Sequence, residues 1–162
     1  MTMAKYDTEI LADDEVPAIR LVREFDAPPA QVFRAHVDPE LYAQWIGPHS
    51  VTTRITRWDA RTGGEWAFAN DRDGEELATF HGCFHEVRPD ERIVSTFTYD
   101  GEPDGVALEI LTLEELEGGR TRLRMLSVVQ DFATRDAMLA SGMDVGVNEG
   151  YVKLDALLAK EA

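Results

Sequence analysis

The residues with the clearest chemical potential are two histidines and a cysteine that alternate along one segment. His81, Cys83 and His85 lie two positions apart, and alternate residues of a β-strand share a face. A strand rises roughly 3.3 Å per residue, which separates His81 from His85 by about 13 Å. Ligands of one zinc ion lie only about 2.0 to 2.3 Å from the metal. The three side chains therefore cannot comfortably converge, and the sequence predicts no metal site and no other cofactor. Phe80 and Phe84 occupy the opposite face, which we expect to be the buried one.

Four titratable residues could act as general acids or bases if they faced a cavity. They are His81, His85, Tyr99 and Glu109. Each is more simply explained as a structural polar group. Nucleophilic catalysis has little support, because Cys83 lies in the middle of a strand and no serine lies in a Gly-x-Ser-x-Gly elbow. The sequence therefore predicts no catalytic residue and favours a protein that is not an enzyme.

Three glycines interrupt a helical pattern near the end of the chain. Gly142, Gly146 and Gly150 recur every four positions within a broad apolar arc. Because a glycine inside a helix costs roughly 1 kcal/mol relative to alanine, we interpret them as positions kept for empty space or for close approach. The pattern predicts one long helix over residues 132–160, with a cavity beneath its glycines.

The elements before this helix follow a distinctive order. Residues 18–26 alternate apolar and charged side chains, apart from Val22 and Arg23, and predict a first strand. Helix-start signals at 26–29 and at Asp38 then predict two short helices. The first should end near His36, and we expect His36 to face water.

Six more strands are predicted after the short helices. Turn residues separate segments of alternating character over 51–58, 65–70, 76–87, 92–99, 106–116 and 121–129. Connections this short leave no room for crossover helices, so adjacent strands must be antiparallel. The element order predicts an α+β helix-grip fold. In this fold a seven-stranded curved antiparallel sheet wraps a long C-terminal helix, and two short helices follow the first strand.

At this point an ordered set of residues resembles a known family over nearly all of 19–158. The set comprises Phe25, Ala27, Pro28, Val32, Phe33, Asp38, Pro39, Trp45, Gly47, Pro48, Gly63, Gly64, Trp66, Phe80, Gly82, Glu86, Val87, Pro89, Arg92, Ile93, Gly118, Gly119, Thr121, Gly142 and Gly146. The chain resembles the bacterial single-domain homologues of the activator of heat-shock-protein ATPase, in the SRPBCC (START-like) superfamily.

The resemblance implies a cavity between the sheet and the C-terminal helix that holds an apolar or lipid-like small molecule. We expect it to be lined by Trp66, Phe68, Phe97, Tyr99, Leu108, Ile110, Met125, Met138, Gly142, Met143 and Gly146. A fully packed core would use the same residue types. The glycines favour the cavity, because a helix that only fills a core would use alanine or leucine there.

Three functions from different classes remain open. The first is a non-enzymatic binding protein for a small apolar ligand. Resemblance to polyketide cyclases and aromatases of the same superfamily implies the second, an enzyme whose cavity holds two or more titratable groups with shifted pKa values. The family name implies the third, a co-chaperone that stimulates a heat-shock-protein ATPase. The eukaryotic activators carry an additional N-terminal domain for which 162 residues leave no room, so a chaperone partner is not expected.

Charge and composition limit the partners and the location. A formal net charge of -15, from 31 acidic and 16 basic residues, opposes binding to nucleic acid. One cysteine cannot form an internal disulfide, and neither a secretory signal nor an apolar run of about 20 residues is present. We therefore expect a cytoplasmic protein without membrane insertion. Residues 1–17 should form an acidic tail and residues 18–162 one domain, and a homodimer remains open.

Overall fold

One antiparallel sheet and four helices make up the computed structural model, which describes residues 4–161. The strands are β1 (Glu9–Ala12), β2 (Ala18–Phe25), β3 (Thr52–Trp58), β4 (Glu65–Arg72), β5 (Glu75–Arg88), β6 (Arg92–Tyr99), β7 (Ala107–Leu116) and β8 (Arg120–Val128). The helices are α1 (Pro29–Val37), α2 (Pro39–Trp45), α3 (Phe132–Ala140) and α4 (Met143–Glu161). The order across the sheet is β1-β2-β8-β7-β6-β5-β4-β3, which confirms the predicted α+β fold and is consistent with a helix grip.

Tight turns and bulges shape the sheet. Asp73 and Gly74 both have positive φ, 53° and 81°, which is the turn geometry that matches the twist of a hairpin. The register shifts between Ile55 and Arg57 and again between Phe84 and Glu86. Such bulges bend a strand and increase its twist. They account for the curvature that turns one face of the sheet toward the helices.

The prediction of seven strands is wrong, because the sheet has eight. The additional strand β1 pairs with β2 from Glu9↔Val22 to Ala12↔Ile19. Only Ile10 in this strand is partly buried, so the segment carries no alternation that would indicate a strand. Backbone pairing with the open edge of β2 creates the element.

Short-range signals for α1 and α2 are present as predicted. Asp38 accepts hydrogen bonds from the backbone N–H groups of Glu40 (3.0 Å) and Leu41 (3.4 Å) and so caps α2. The indole of Trp45 donates to the carbonyl of Ala35 at 2.8 Å. The indole of Trp58 likewise donates to Val37 at 2.7 Å. These two hydrogen bonds connect α2 and β3 to the C-terminal end of α1.

The single long C-terminal helix of the prediction is two helices. Gly142 has φ +84°, the left-handed conformation that ends α3. A Cβ at Gly150 would lie 3.1 Å from the carbonyl oxygen of Trp45, so this glycine permits close approach of α4 to α2. A Cβ at Gly146 would meet only Pro48, at 3.6 Å. The three glycines therefore serve different purposes, and none of them keeps a cavity open beneath one helix.

The C-terminal part of α4 packs in the main core. Tyr151, Leu154, Leu157 and Leu158 are buried there with residues of the sheet and of α1 and α2. Arg23, which broke the predicted alternation of β2, is 1% exposed and forms a bidentate ion pair with Asp155 of α4, with N···O distances of 3.0 and 2.6 Å. Its inward position ties α4 to the sheet. Within residues 4–161, no helix combines the length and the hydropathy needed to cross a bilayer.

Candidate functional site

A cavity of about 80 Å³ lies where α1 and α2 cover the sheet. It is lined by His36, Tyr42, Trp58, Trp66, Phe84, Ile93, Ser95, Phe97, Glu109, Leu111 and Met125. Pockets for drug-sized ligands typically have about 300 Å³ or more, so this cavity admits only a small molecule without rearrangement. Its position corrects the expectation of a cavity under the C-terminal helix, because no residue of α3 or α4 is among its lining.

One side of the cavity is aromatic. The rings of Trp66 and Phe97 are 5.4 Å apart between centroids, and Phe68 stacks on Trp66 at 5.5 Å. Phe80 contacts Phe68 at 5.0 Å and Phe97 at 5.4 Å. Ring pairs at these distances add attraction beyond the area that they bury. The cluster forms an apolar wall on this side of the cavity.

The other side of the cavity carries Ser95 and Glu109, and Ser127 continues this row of polar side chains on the next strand, outside the lining. Ser95 of β6 lies opposite Glu109 of β7, and Glu109 lies opposite Ser127 of β8. Directly opposed residues point to the same face of a sheet, and Ser95 and Glu109 both line the cavity. We call Ser95, Glu109 and Ser127 the polar row.

Burial changes the protonation behaviour of Glu109, the titratable member of the polar row. Loss of solvation raises the pKa of Glu109 to about 7 from its ordinary value of 4.5. Burial also raises the pKa of the Tyr42 and Tyr151 hydroxyls, and the nearby charge of Glu109 contributes in the same direction. Near neutral pH, Glu109 therefore exists both as a carboxylate and as a carboxylic acid.

His36 faces this interior and not water, which corrects the sequence expectation. It is 8% exposed, and burial lowers its pKa to about 4. Its Nδ1 lies 2.7 Å from the carbonyl oxygen of Val32. Because a carbonyl only accepts, Nδ1 carries the proton and Nε2 is an acceptor; this Nε2 has no hydrogen-bond partner in the described structure. The spacing in the sequence could have indicated this burial, because His36 follows the buried Val32 by four residues and so shares its helix face.

Some of the expected lining residues do meet at this cavity. Trp66, Phe97 and Met125 line it. Phe68 is buried directly behind, against Trp66. Tyr99 lies farther along β6. Its ring centroid is 5.5 Å from that of Phe80, but the residue is 42% exposed.

The remaining expected residues are not brought to the cavity. Leu108 is 40% exposed, and Ile110 shares its face of β7, opposite to the face of Glu109. β7 has apolar residues at both parities, and the alternation alone therefore did not identify the inward face. Met138, Gly142, Met143 and Gly146 lie in α3, in α4 or between them and do not contribute to the lining.

The histidines and cysteine of β5 lie on the outer face, and the aromatic face is inward, as expected. Phe84 is buried whereas Cys83 is exposed. The His81 ring nitrogen Nδ1 contacts the Asp100 carboxylate. Within the described range, no three His, Cys, Asp or Glu side chains are grouped so that they could hold a metal ion.

Comparison with known proteins places this architecture among relatives. A family model described as "Activator of Hsp90 ATPase homolog 1-like protein" matches residues 26–159. No curated protein matches the chain.

Solved structures extend the likeness to nearly the whole chain. A Rhodobacter sphaeroides protein is 25% identical with a TM-score of 0.86, over 95% of this chain and 99% of that one. A Chromobacterium violaceum protein is 30% identical with a TM-score of 0.76, over 88% and 96%. The AHSA1 protein of Silicibacter pomeroyi, 21% identical over 90% of this chain and 99% of that one, shares the fold with a TM-score of 0.72.

Proposed function

The chain belongs to the family of Activator of Hsp90 ATPase homolog 1-like proteins, and from this premise we propose that it binds a small, largely apolar molecule in the cavity beneath α1 and α2. Family and fold support a ligand-binding domain in general. Trp66, Phe97 and Met125 are the proposed apolar contacts. The observation that carries the proposal is a cavity that joins an aromatic wall to Glu109 and to His36, whose buried Nε2 has no partner among the described residues.

Such a combination is unusual for a core that serves packing alone. Buried polar groups in folded proteins almost always have a hydrogen-bond partner, and exceptions call for an explanation. A core built only for stability would fill the space with interdigitated apolar side chains. A ligand that packs on the aromatic wall and reaches the polar row would explain both departures.

Met125 is the lining residue best suited to adjust the size of the cavity. A cavity of roughly 150 Å³ accommodates benzene, which is larger than the about 80 Å³ present here. Methionine is unbranched and flexible, and it commonly yields to ligands at adaptable sites. Movement of this partly buried side chain would lengthen the cavity along the aromatic wall.

The test is a titration with benzene. Binding is monitored through the NMR signals of the cavity amides and of the Trp58 and Trp66 indoles. Met125→Ala removes three side-chain heavy atoms from the wall and should bind benzene more tightly than the wild type. Met138→Ala is the control, because Met138 lies on α3 away from the lining. The proposal is contradicted if these signals do not shift at saturating benzene in either folded protein, the wild type or Met125→Ala.

A second candidate, an enzyme that transfers protons, is favoured by a specific observation. The cavity holds Glu109 and His36, two titratable groups with shifted pKa values, as an acid–base enzyme requires. The carboxylate of Glu109 would take a proton from the carbon next to a ketone carbonyl and return one to it. Exchange of acetone protons with deuterium in D₂O, measured by NMR, tests this role. Glu109→Gln should reduce exchange to the buffer rate, and equal exchange without protein would exclude the activity.

A further inference from the structure

The buried side-chain atoms without a hydrogen-bond partner include one of His36 and one of Ser127, both on the inner side of the sheet and helices. His36 is 8% exposed and Ser127 is 7% exposed. Neither His36 Nε2 nor Ser127 Oγ has a partner among the described residues. A buried donor or acceptor that stays unsatisfied opposes folding. Of these two residues, His36 lines the cavity, so a ligand group that pairs with its Nε2 would stabilise the folded state.

The chemistry of these groups specifies what that outside group must do. Nε2 of His36 can only accept, because Nδ1 holds the proton against Val32. Glu109 accepts as a carboxylate and donates when protonated, and the hydroxyl of Ser95 can donate or accept. The complementary group therefore donates to His36 Nε2 and can accept from Ser95 or from protonated Glu109. A hydroxyl does this with a single heavy atom.

We propose that His36 Nε2, Ser95 and Glu109 recognise a hydroxyl group that donates to Nε2 and accepts from Ser95 or from protonated Glu109, so that the ligand is a small alcohol or phenol and not a pure hydrocarbon. This inference rests on the proposed function, since it concerns the same cavity. The aromatic wall would hold the carbon skeleton against Trp66 and Phe97, and the hydroxyl would point toward Glu109. Geometry carries the assignment: opposed positions on three strands place the row on one face, and two of its members line the cavity together with His36.

Binding of such a hydroxyl should depend on pH. The titratable groups that lie around Glu109 are His36 of α1, Tyr42 of α2 and Tyr151 of α4. Burial keeps His36 neutral near neutral pH and raises the pKa of both tyrosines, so Glu109 is the one that titrates between about pH 6 and 8. A ligand hydroxyl that donates to His36 Nε2 can accept from protonated Glu109 but meets a second acceptor in the carboxylate. It should therefore bind less tightly as the pH rises through about 7.

The test compares phenol with fluorobenzene, which has nearly the same shape but no hydrogen-bond donor. Dissociation constants are measured by NMR titration for the wild type and for Met125→Ala, in which the larger cavity admits a ring more easily. Phenol should bind about tenfold more tightly than fluorobenzene in each protein that binds a ring. Glu109→Gln should remove the pH dependence of phenol binding and of this preference. Glu115→Gln, a change at an exposed position on the same strand, should leave both unchanged.

The outcomes separate the two proposals. Equal binding of phenol and fluorobenzene would overturn hydroxyl recognition while ligand binding stands. A phenol preference that Glu109→Gln leaves intact, including its pH dependence, would overturn the role of the polar row. Absence of binding by either ring, in the wild type and in Met125→Ala, would overturn both proposals.

Discussion

At the residue scale, Glu109 shows how the position on a strand controls acidity. It lies on the inward face of β7, between the hydroxyl-bearing positions Ser95 and Ser127 of the neighbouring strands. Burial alone raises its pKa to about 7, because no positive charge within residues 4–161 lies beside it to favour the carboxylate. Its protonation therefore affects the stability of the fold as well as the cavity.

Replacing Glu109 with glutamine should make stability less dependent on pH. Between the ordinary pKa of 4.5 and the folded value of about 7, the folded protein holds a proton that the unfolded chain has lost. The free energy of unfolding therefore falls as the pH rises through this window and stays low above it, by at most about 3 kcal/mol. Urea unfolding at pH 5 and pH 8 measures the difference for wild type and Glu109→Gln. Glu115→Gln is the control and should lose as much stability between pH 5 and pH 8 as the wild type. If Glu109→Gln loses the same amount as the wild type, the assignment is refuted.

His36 should produce a pH dependence of opposite sign. Its folded pKa of about 4 is below the ordinary 6.5, so its contribution to stability is complete above pH 6.5 and is lost as the pH falls toward 4. His36→Asn can keep a donor near Val32 but has no group that becomes charged. Relative to this variant, the wild type should lose stability between pH 6.5 and 4, as measured by urea unfolding. His49→Asn, at an exposed position, should follow the wild type, and similar curves for His36→Asn and the wild type would contradict burial of the imidazole.

At the element scale, α4 depends on how closely it approaches α2. The helix packs against the C-terminal end of α2, where Gly150 faces the carbonyl of Trp45. The stacking of Tyr151 on Trp45, with centroids 6.0 Å apart, continues the contact. A methyl group at Gly150 would have to displace backbone, whereas one at Gly146 has ordinary room.

This difference predicts opposite results for two alanine substitutions in the same helix. Gly146→Ala should stabilise the protein by about 0.5 to 1 kcal/mol, since alanine restricts the unfolded chain and favours the helix. Gly150→Ala should gain less or become destabilising, because its Cβ would lie 3.1 Å from the Trp45 oxygen. Thermal unfolding of both variants and the wild type measures the contrast. Equal stabilisation by both changes would show that α2 and α4 do not meet so closely.

At the scale of the whole molecule, β1 covers one edge of the sheet. It pairs with β2 over four residues, and it thereby occupies backbone groups of β2 that would otherwise face solvent. An uncovered strand edge can pair with another chain. We therefore expect the short strand to oppose self-association through the edge of β2.

Truncation tests this protective role. Removal of residues 1–12 eliminates β1 and should cause concentration-dependent association, which size-exclusion chromatography with light scattering detects. Removal of residues 1–8 keeps β1 and serves as the matched control, since both truncations lose the contacts of Lys5 and Tyr6 with Asp26. Identical behaviour of the two truncated proteins would show that β1 has no such role.

Local chemistry in the sequence determined most of the elements. Alternation along β2, turn residues such as Asp73 and Gly74, and the cap at Asp38 act within a few residues, so each was readable before the structure was known. The family resemblance, carried by many such local features in order, is confirmed by the match over residues 26–159. The inward aromatic face of β5 follows from the same alternation.

The tertiary structure alone decided where these elements leave space. β1 exists because β2 offers an edge, and Gly142 ends α3 because the chain turns there. The inward face of β7 depends on its register with β6 and β8, which places Glu109 and not Leu108 in the cavity. Pairing partners and covering helices are distant in the chain, and burial arises only when they meet. The pKa values of Glu109 and His36, and with them the chemistry of the cavity, therefore depend on contacts that no short segment encodes.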